Sequence, residues 1–238
     1  MDFVTGMDLA GFALWFVAFL ISATCHEAGH ALVARLGGDE TAYRAGQVTL
    51  NPWPHLRREP FGMIFVPLIS YALQGFMIGW ASAPYDPLWA DRHPKRAAAM
   101  AAAGPGANLL LLLLAVAGLH LMVLAGLGEA PLRAGFEVLI DPISADPLVR
   151  AAARFLSILA MLNAMLMVFN LFPLPPLDGA AVVQGLSGRG VGQVMESIRR
   201  MPMAGLFGLV VAWKLFEFVA PFIFTMVLFL AHPGTSYG

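Results

Sequence analysis

Apolar residues along the chain form long, nearly unbroken runs, unlike the alternation of a strand or the stripe of a soluble helix. A bilayer core of roughly 30 Å takes about 20 helical residues. Four runs meet that length, at about 9–34, 105–127, 155–172 and 206–231. A fifth, 61–81 (FGMIFVPLISYALQGFMIGWA), is interrupted by Pro67, Gln74, Gly75 and Gly79. It is expected to be re-entrant or a hairpin, because broken helix is tolerated at membrane depth only against protein. Polar stretches separate the runs at 35–60, 82–96, 128–154 and 179–204. No internal repeat is present, and the only low-complexity tract is the alanine-rich 97–103, so 1–238 is expected to be a single membrane-embedded domain.

Composition agrees with the pattern. Of 238 residues, 59% are hydrophobic and 12% charged, against about 25% charged in an ordinary soluble domain. The expectation is an all-α, multi-pass integral membrane protein whose medium is the lipid bilayer. Net charge is −1 without any block of like charges, which argues against a nucleic-acid partner. Cys25 is the only cysteine, excluding an intrachain disulfide and any multi-thiolate metal site. The first Lys or Arg is Arg35, after the first apolar run, so that run lacks the basic leader of a signal peptide and is expected to stay as a helix.

The costly residues lie inside the first run. HEAGH, residues 26–30, places His26 roughly 14 Å and His30 roughly 8 Å before Arg35 at 1.5 Å per residue. Spaced i, i+4, the two imidazoles stand about 40° apart on one helical face, where two neutral ring nitrogens reach one ion. Zinc held by imidazoles keeps a position for water and lowers its pKa, and Glu27 is placed to take the proton. The plainer alternative is a packed histidine pair bonded to Glu27; ionisable residues inside a membrane are functional by default. A catalytic zinc usually takes three protein ligands, and none follows closely in ALVA, residues 31–34. The leading distant candidate is Asp178 in NLFPLPPLDG, residues 170–179, where three prolines unwind the chain. Alone, that stretch would read as a Pro-rich helix end with an Asp-Gly turn.

HEAGH on a membrane helix followed by NLFPLPPLDG resembles the site-2 protease family of intramembrane zinc metalloproteases, whose distal motif N-x-x-P-x-P-x-L-D-G it matches at every fixed position. GPGAN (104–108) resembles the opening of the family's middle core helix, and RAGQVTLNPWPHL (44–56) a segment of small bacterial members without a PDZ domain. HLRREP departs from the more acidic form of that segment. The resemblance implies a three-helix catalytic core with the broken segment and a C-terminal helix beside it. It further implies one Zn2+ on His26, His30 and Asp178, Glu27 acting on water, and Asn170 holding substrate or transition state. The implied reaction is peptide hydrolysis within or near transmembrane segments of membrane-protein substrates, typically single-pass helices. An unwound substrate would add as an extended strand, with GWASAPYDP (79–87) as a candidate edge or short β-hairpin near the site. The competing class is a non-catalytic metal-binding scaffold or a substrate-retaining pseudoprotease, against which an intact Glu27 argues.

Topology supplies a separate constraint. Asp178 meets the histidines only if the 9–34 and 155–172 helices end on one side, so 61–81 is not a full crossing. One side then carries ten basic residues (Arg35, Arg44, Arg57, Arg58, Arg92, Lys95, Arg96, Arg189, Arg199, Arg200), and the other carries three with four acids. The positive-inside rule puts the site nearer the cytosolic face of a bacterial-type cell membrane. Asn108 reads equally as a helix-packing or a pocket residue. His55 and His93, beside Pro54 and Pro94, read as surface histidines, His55 reaching the site only if its loop folds back; His120 and Cys25 read as structural, and Lys214 with Glu217 as an interfacial pair.

Overall fold

The computed structural model describes residues 8–187, 189–199, 201 and 203–234; of the basic residues counted above, Arg200 lies outside them. Helix α1 (Leu9–Leu36) starts where the Asp8 carboxylate caps the Gly11 N–H at 2.9 Å. Short helices α2 (Thr41–Arg44) and α3 (Pro52–Arg58) follow, the latter capped by Asn51 with proline at its first position. A π-helical turn, Phe61–Phe65, runs into α4 (Val66–Gln74), which ends at Gly75 with φ 76°. The chain then doubles back in extended form, the Trp80 N–H donating to the Gly62 carbonyl and the Ile78 N–H to Ser70 Oγ. Segment 61–81 therefore contains one short helix and a returning strand-like arm. Helix α5 (Pro87–Arg92) leads to α6 (Pro94–Leu124), followed by α7 (Pro147–Asn170), α8 (Asp178–Leu186), α9 (Arg189–Arg199) and α10 (Ala204–Ala231).

Helices α1, α6, α7 and α10 are long and apolar enough to cross a membrane. Two of them start earlier than the apolar runs, at 94 rather than 105 and at 147 rather than 155. The reason is local: Asp146 caps α7 with Pro147 behind it, and Pro94 followed by the alanine-rich 97–103 carries α6 outward before the hydrophobic window begins.

α1, α6 and α7 form an up-down-up core. His30 faces Met100 of α6 and Ser22 faces Asn163 of α7, while at the far end Arg154 of α7 pairs with Asp8 ahead of α1 at 2.6 Å. Trp15, Phe19, Leu119, Ile158 and Met161 fill the interior. Lipid is as apolar as these side chains, so close backbone approach contributes much of the association. Gly29, the fourth residue of HEAGH, supplies it: a Cβ there would lie 2.8 Å from the Ala103 carbonyl oxygen of α6. At the far end Glu137 accepts from Trp15 Nε1 at 2.6 Å and pairs with Arg154, tying the 125–146 loop to the bundle.

Two sequence expectations change. The strands among the described residues, β1 (Gly128–Glu129) and β2 (Asp141–Pro142), pair in that far loop, not beside HEAGH, and the arm at 79–86 belongs to no strand. His55 is not a surface histidine: it is 1% exposed within α3, its Nε2 3.1 Å from the Thr49 carbonyl oxygen. Its burial follows from α3 folding onto α1, a tertiary contact with no local signature.

Candidate metal centre

The site is assembled from α1, α6 and the first residue of α8. His26 Nε2 and His30 Nε2 lie 3.0 Å apart, and Asp178 Oδ2 stands 3.1 Å from the first and 3.3 Å from the second. Three electron-pair donors so close repel one another unless protons or a metal cation lie between them. Their spacing also approaches about 3.3 Å, the edge of a tetrahedron whose centre-to-vertex distance is the roughly 2.0 Å of zinc–nitrogen and zinc–oxygen bonds. The donor set of two imidazoles and a carboxylate therefore fits zinc.

Gly104 of α6 gives a second measure of fit. A Cβ built there would lie 2.4 Å from His30 Nε2 and 2.5 Å from His26 Nε2, so only glycine leaves the space in front of the ligand atoms open. Glu27 is 5% exposed; one carboxylate oxygen and one ring nitrogen of each histidine all lie within 4.8 Å of one another. Of the two carboxylates Asp178 is the nearer to the ring nitrogens, which suits Asp178 to ligation and leaves Glu27 room for an intervening water. Among the described residues Glu27 has no hydrogen-bond or ion-pair partner.

The outer nitrogens of both rings are held by α6. His26 Nδ1 lies 2.6 Å from Asn108 Oδ1, and His30 Nδ1 lies 2.8 Å from the Met100 carbonyl oxygen. This is the usual device for aiming the opposite nitrogen at a metal. Asn108, 0% exposed, is thus a pocket residue as well as a packing one.

The four sequence candidates His26, Glu27, His30 and Asp178 come together, although 152 residues separate the first from the last. Asn170 does not join them by hydrogen bonds: at the last position of α7, its amide donates to the Leu166 carbonyl at 2.9 Å. Asn163 and Ser22, both 0% exposed and linked to Asn108, were not anticipated. A usable signal was there, since a mid-span Asn is costly unless bonded. His93 is half-buried at the end of α5, His120 is half-buried in α6, Cys25 is half-buried, and Lys214 pairs with Glu217 at 2.9 Å.

Four spans around a buried His-His-Asp cluster, with a glutamate beside it, define a membrane-embedded protein with the side chains of a metallohydrolase. Comparison with known proteins agrees. The model of peptidase family M50 matches residues 14–213, so the chain belongs to that family, the site-2 proteases. It is 35% identical over 205 residues to the "Putative zinc metalloprotease YwhC" of Bacillus subtilis, covering 84% of this chain and 78% of that protein. It is 31% identical over 173 residues to the "Putative zinc metalloprotease Rip2" of Mycobacterium tuberculosis, covering 73% of this chain and 57% of that one, so it spans little more than half of Rip2. No solved structure matches. The chain is a multi-pass membrane metalloprotease of this family.

Proposed function

We propose that this protein is an intramembrane zinc endopeptidase that cleaves membrane-protein substrates within or near their transmembrane segments. The observation carrying the reading is the triangle of His26 Nε2, His30 Nε2 and Asp178 Oδ2, with Glu27 beside it, sunk within an apolar helix bundle. Those three residues would hold one Zn2+, which when bound polarises the scissile carbonyl and acidifies a water. Glu27 takes the proton of the attacking water and passes it to the leaving amine. Burial of Glu27 keeps bulk water from competing for that proton.

A substrate helix has its amides bonded internally and must unwind to present a carbonyl. The arm at 79–86 would offer backbone along which an unwound strand can pair, and Asn170, at the end of α7 ahead of the loop that leads to Asp178, would hold it. The sequence count of ten basic residues in the polar stretches assigned to one side against three on the other supports a site nearer the cytosolic face.

Glu27→Gln tests the chemistry. Cleavage of membrane substrates, compared by membrane proteomics of cells carrying wild type or variant, is expected to fall by at least about 10²-fold while zinc content stays at one per chain. Retained cleavage sinks the role of Glu27.

A further inference from the structure

A chain of buried amides runs from α7 through α6 to the metal centre, and its polarity can be read from one end. Asn163 Nδ2 lies 2.8 Å from the Leu159 carbonyl oxygen, which can only accept, so the amide of Asn163 is fixed with its NH2 on that side. The same NH2 donates to Ser22 Oγ at 2.9 Å, whose hydroxyl donates onward to the Ala18 carbonyl. Asn163 Oδ1 is therefore left facing Asn108, which must answer with its own NH2, at 2.8 Å. That turns Asn108 Oδ1 toward His26 Nδ1, at 2.6 Å, and an oxygen there requires the proton of His26 to sit on Nδ1. The lone pair of His26 then lies on Nε2, facing His30 and Asp178.

We propose that Asn163, acting through Asn108, is a positioning residue that sets the tautomer and aim of His26. The inference rests on the zinc reading above and deepens it. Nothing in the amide of Asn108 itself prefers one orientation, because its two ends are nearly the same size. The preference is set chiefly from a backbone carbonyl of α7, two side chains away, through the 2.8 Å bond to Asn163, and is seconded by the longer, 3.4 Å approach of Asn108 Nδ2 to the Ser22 carbonyl oxygen of α1, so that the three core helices α1, α6 and α7 each contribute a link. Outer partners of metal-bound histidines typically change affinity by about 10- to 100-fold when removed. Asn163 touches no proposed ligand; its direct route to the ring of His26 runs through Asn108, and its other bond, to Ser22, lies one turn before His26 on α1.

The test uses the full chain in detergent, with zinc affinity measured by chelator competition and Co2+ loaded as a spectroscopic probe. Asn108→Leu is expected to weaken zinc binding by 10-fold or more. Asn163→Leu is expected to weaken it severalfold and alter the Co2+ absorption bands, with apo melting temperature unchanged or raised. The double variant should lose less than the sum, because both act on one path. Asn108→Asp keeps an acceptor for His26 and should bind zinc more tightly than Asn108→Leu; a packing role alone predicts the reverse order, since a buried carboxylate packs worse than leucine. Wild type that takes up no zinc overturns the proposed function itself. Wild type that binds zinc while the Asn163→Leu variant stays within twofold of it, or Asp no better than Leu at 108, overturns this inference and leaves the function standing.

Discussion

Adding one methyl group at Gly104 should disarm the site without unfolding the protein. The alanine Cβ would meet His30 Nε2 at 2.4 Å and His26 Nε2 at 2.5 Å, and ordinary contact begins near 3.4 Å, so each ring would have to retreat by about 1 Å. Neither has anywhere to go: His26 is held from behind by Asn108 at 2.6 Å and His30 by the Met100 carbonyl at 2.8 Å. Parting the helices instead would open the contact between Gly29 and Ala103 and stretch those same bonds. Metal–ligand distances tolerate about 0.2 Å, several times less than the shift demanded. Zinc affinity is therefore expected to fall by at least about 10²-fold, roughly 2.7 kcal/mol. Alanine also gains about 1 kcal/mol of helix propensity over glycine, which offsets strain in the metal-free state. The assay is zinc per chain by elemental analysis together with melting in detergent with and without zinc: wild type should be stabilised by the metal, and the Gly104→Ala variant should melt near the wild-type apo temperature without responding to it. Normal zinc affinity in a folded Gly104→Ala protein would refute the placement of the ion against α6.

Asp178→Ala should lower zinc occupancy from one per chain toward none at free zinc levels that saturate wild type, by 10²-fold or more in affinity; undiminished zinc would remove Asp178 from the ligand set. Asp39 tests the architecture outside the bilayer. Its carboxylate accepts from the Thr41 N–H and hydroxyl and, across to the returning arm, from the Asp86 N–H at 2.8 Å. Burial raises its pKa, but these hydrogen bonds outweigh burial and hold it below the usual carboxylate value. The stabilisation is thus complete above about pH 4 and is lost as pH falls through the depressed value. Asp39→Asn turns an NH2 toward a donor and should cost about 1–3 kcal/mol near neutrality, with the difference from wild type shrinking in melts taken below pH 4; equal melting temperatures at pH 7 would count against it.

The sequence discloses what long-range physics forces and conceals what neighbours decide. Four spans are legible because a bilayer demands about 20 apolar residues, yet that demand marks the membrane, not the helix. This is why α6 and α7 begin 11 and 8 residues before the apolar windows, at prolines whose helix-start signals were in plain view. The meeting of HEAGH with Asp178 is legible because a two-histidine site is incomplete and an intramembrane charge needs a partner. Asn163 and Ser22 are not, because a small polar residue in an apolar run does not say which helix will answer it. His55 fails the other way: preceded by Pro52 and Pro54 in a polar stretch it resembles a loop residue, and only the docking of α3 buries it.

Met100 and Asn108, the partners of the outer histidine nitrogens, both lie on α6, whereas Asn163, which orients Asn108, arrives only with α7. Asp178 is synthesised later, after the third core helix. On the proposed ligand set, a nascent or truncated chain thus carries at most two of the three ligands, and the proposed centre cannot be completed until the α7 span has been laid beside the first two. On that proposal, the order of the elements along the chain would act as a delay, leaving the centre incomplete while the chain is still being inserted into the membrane.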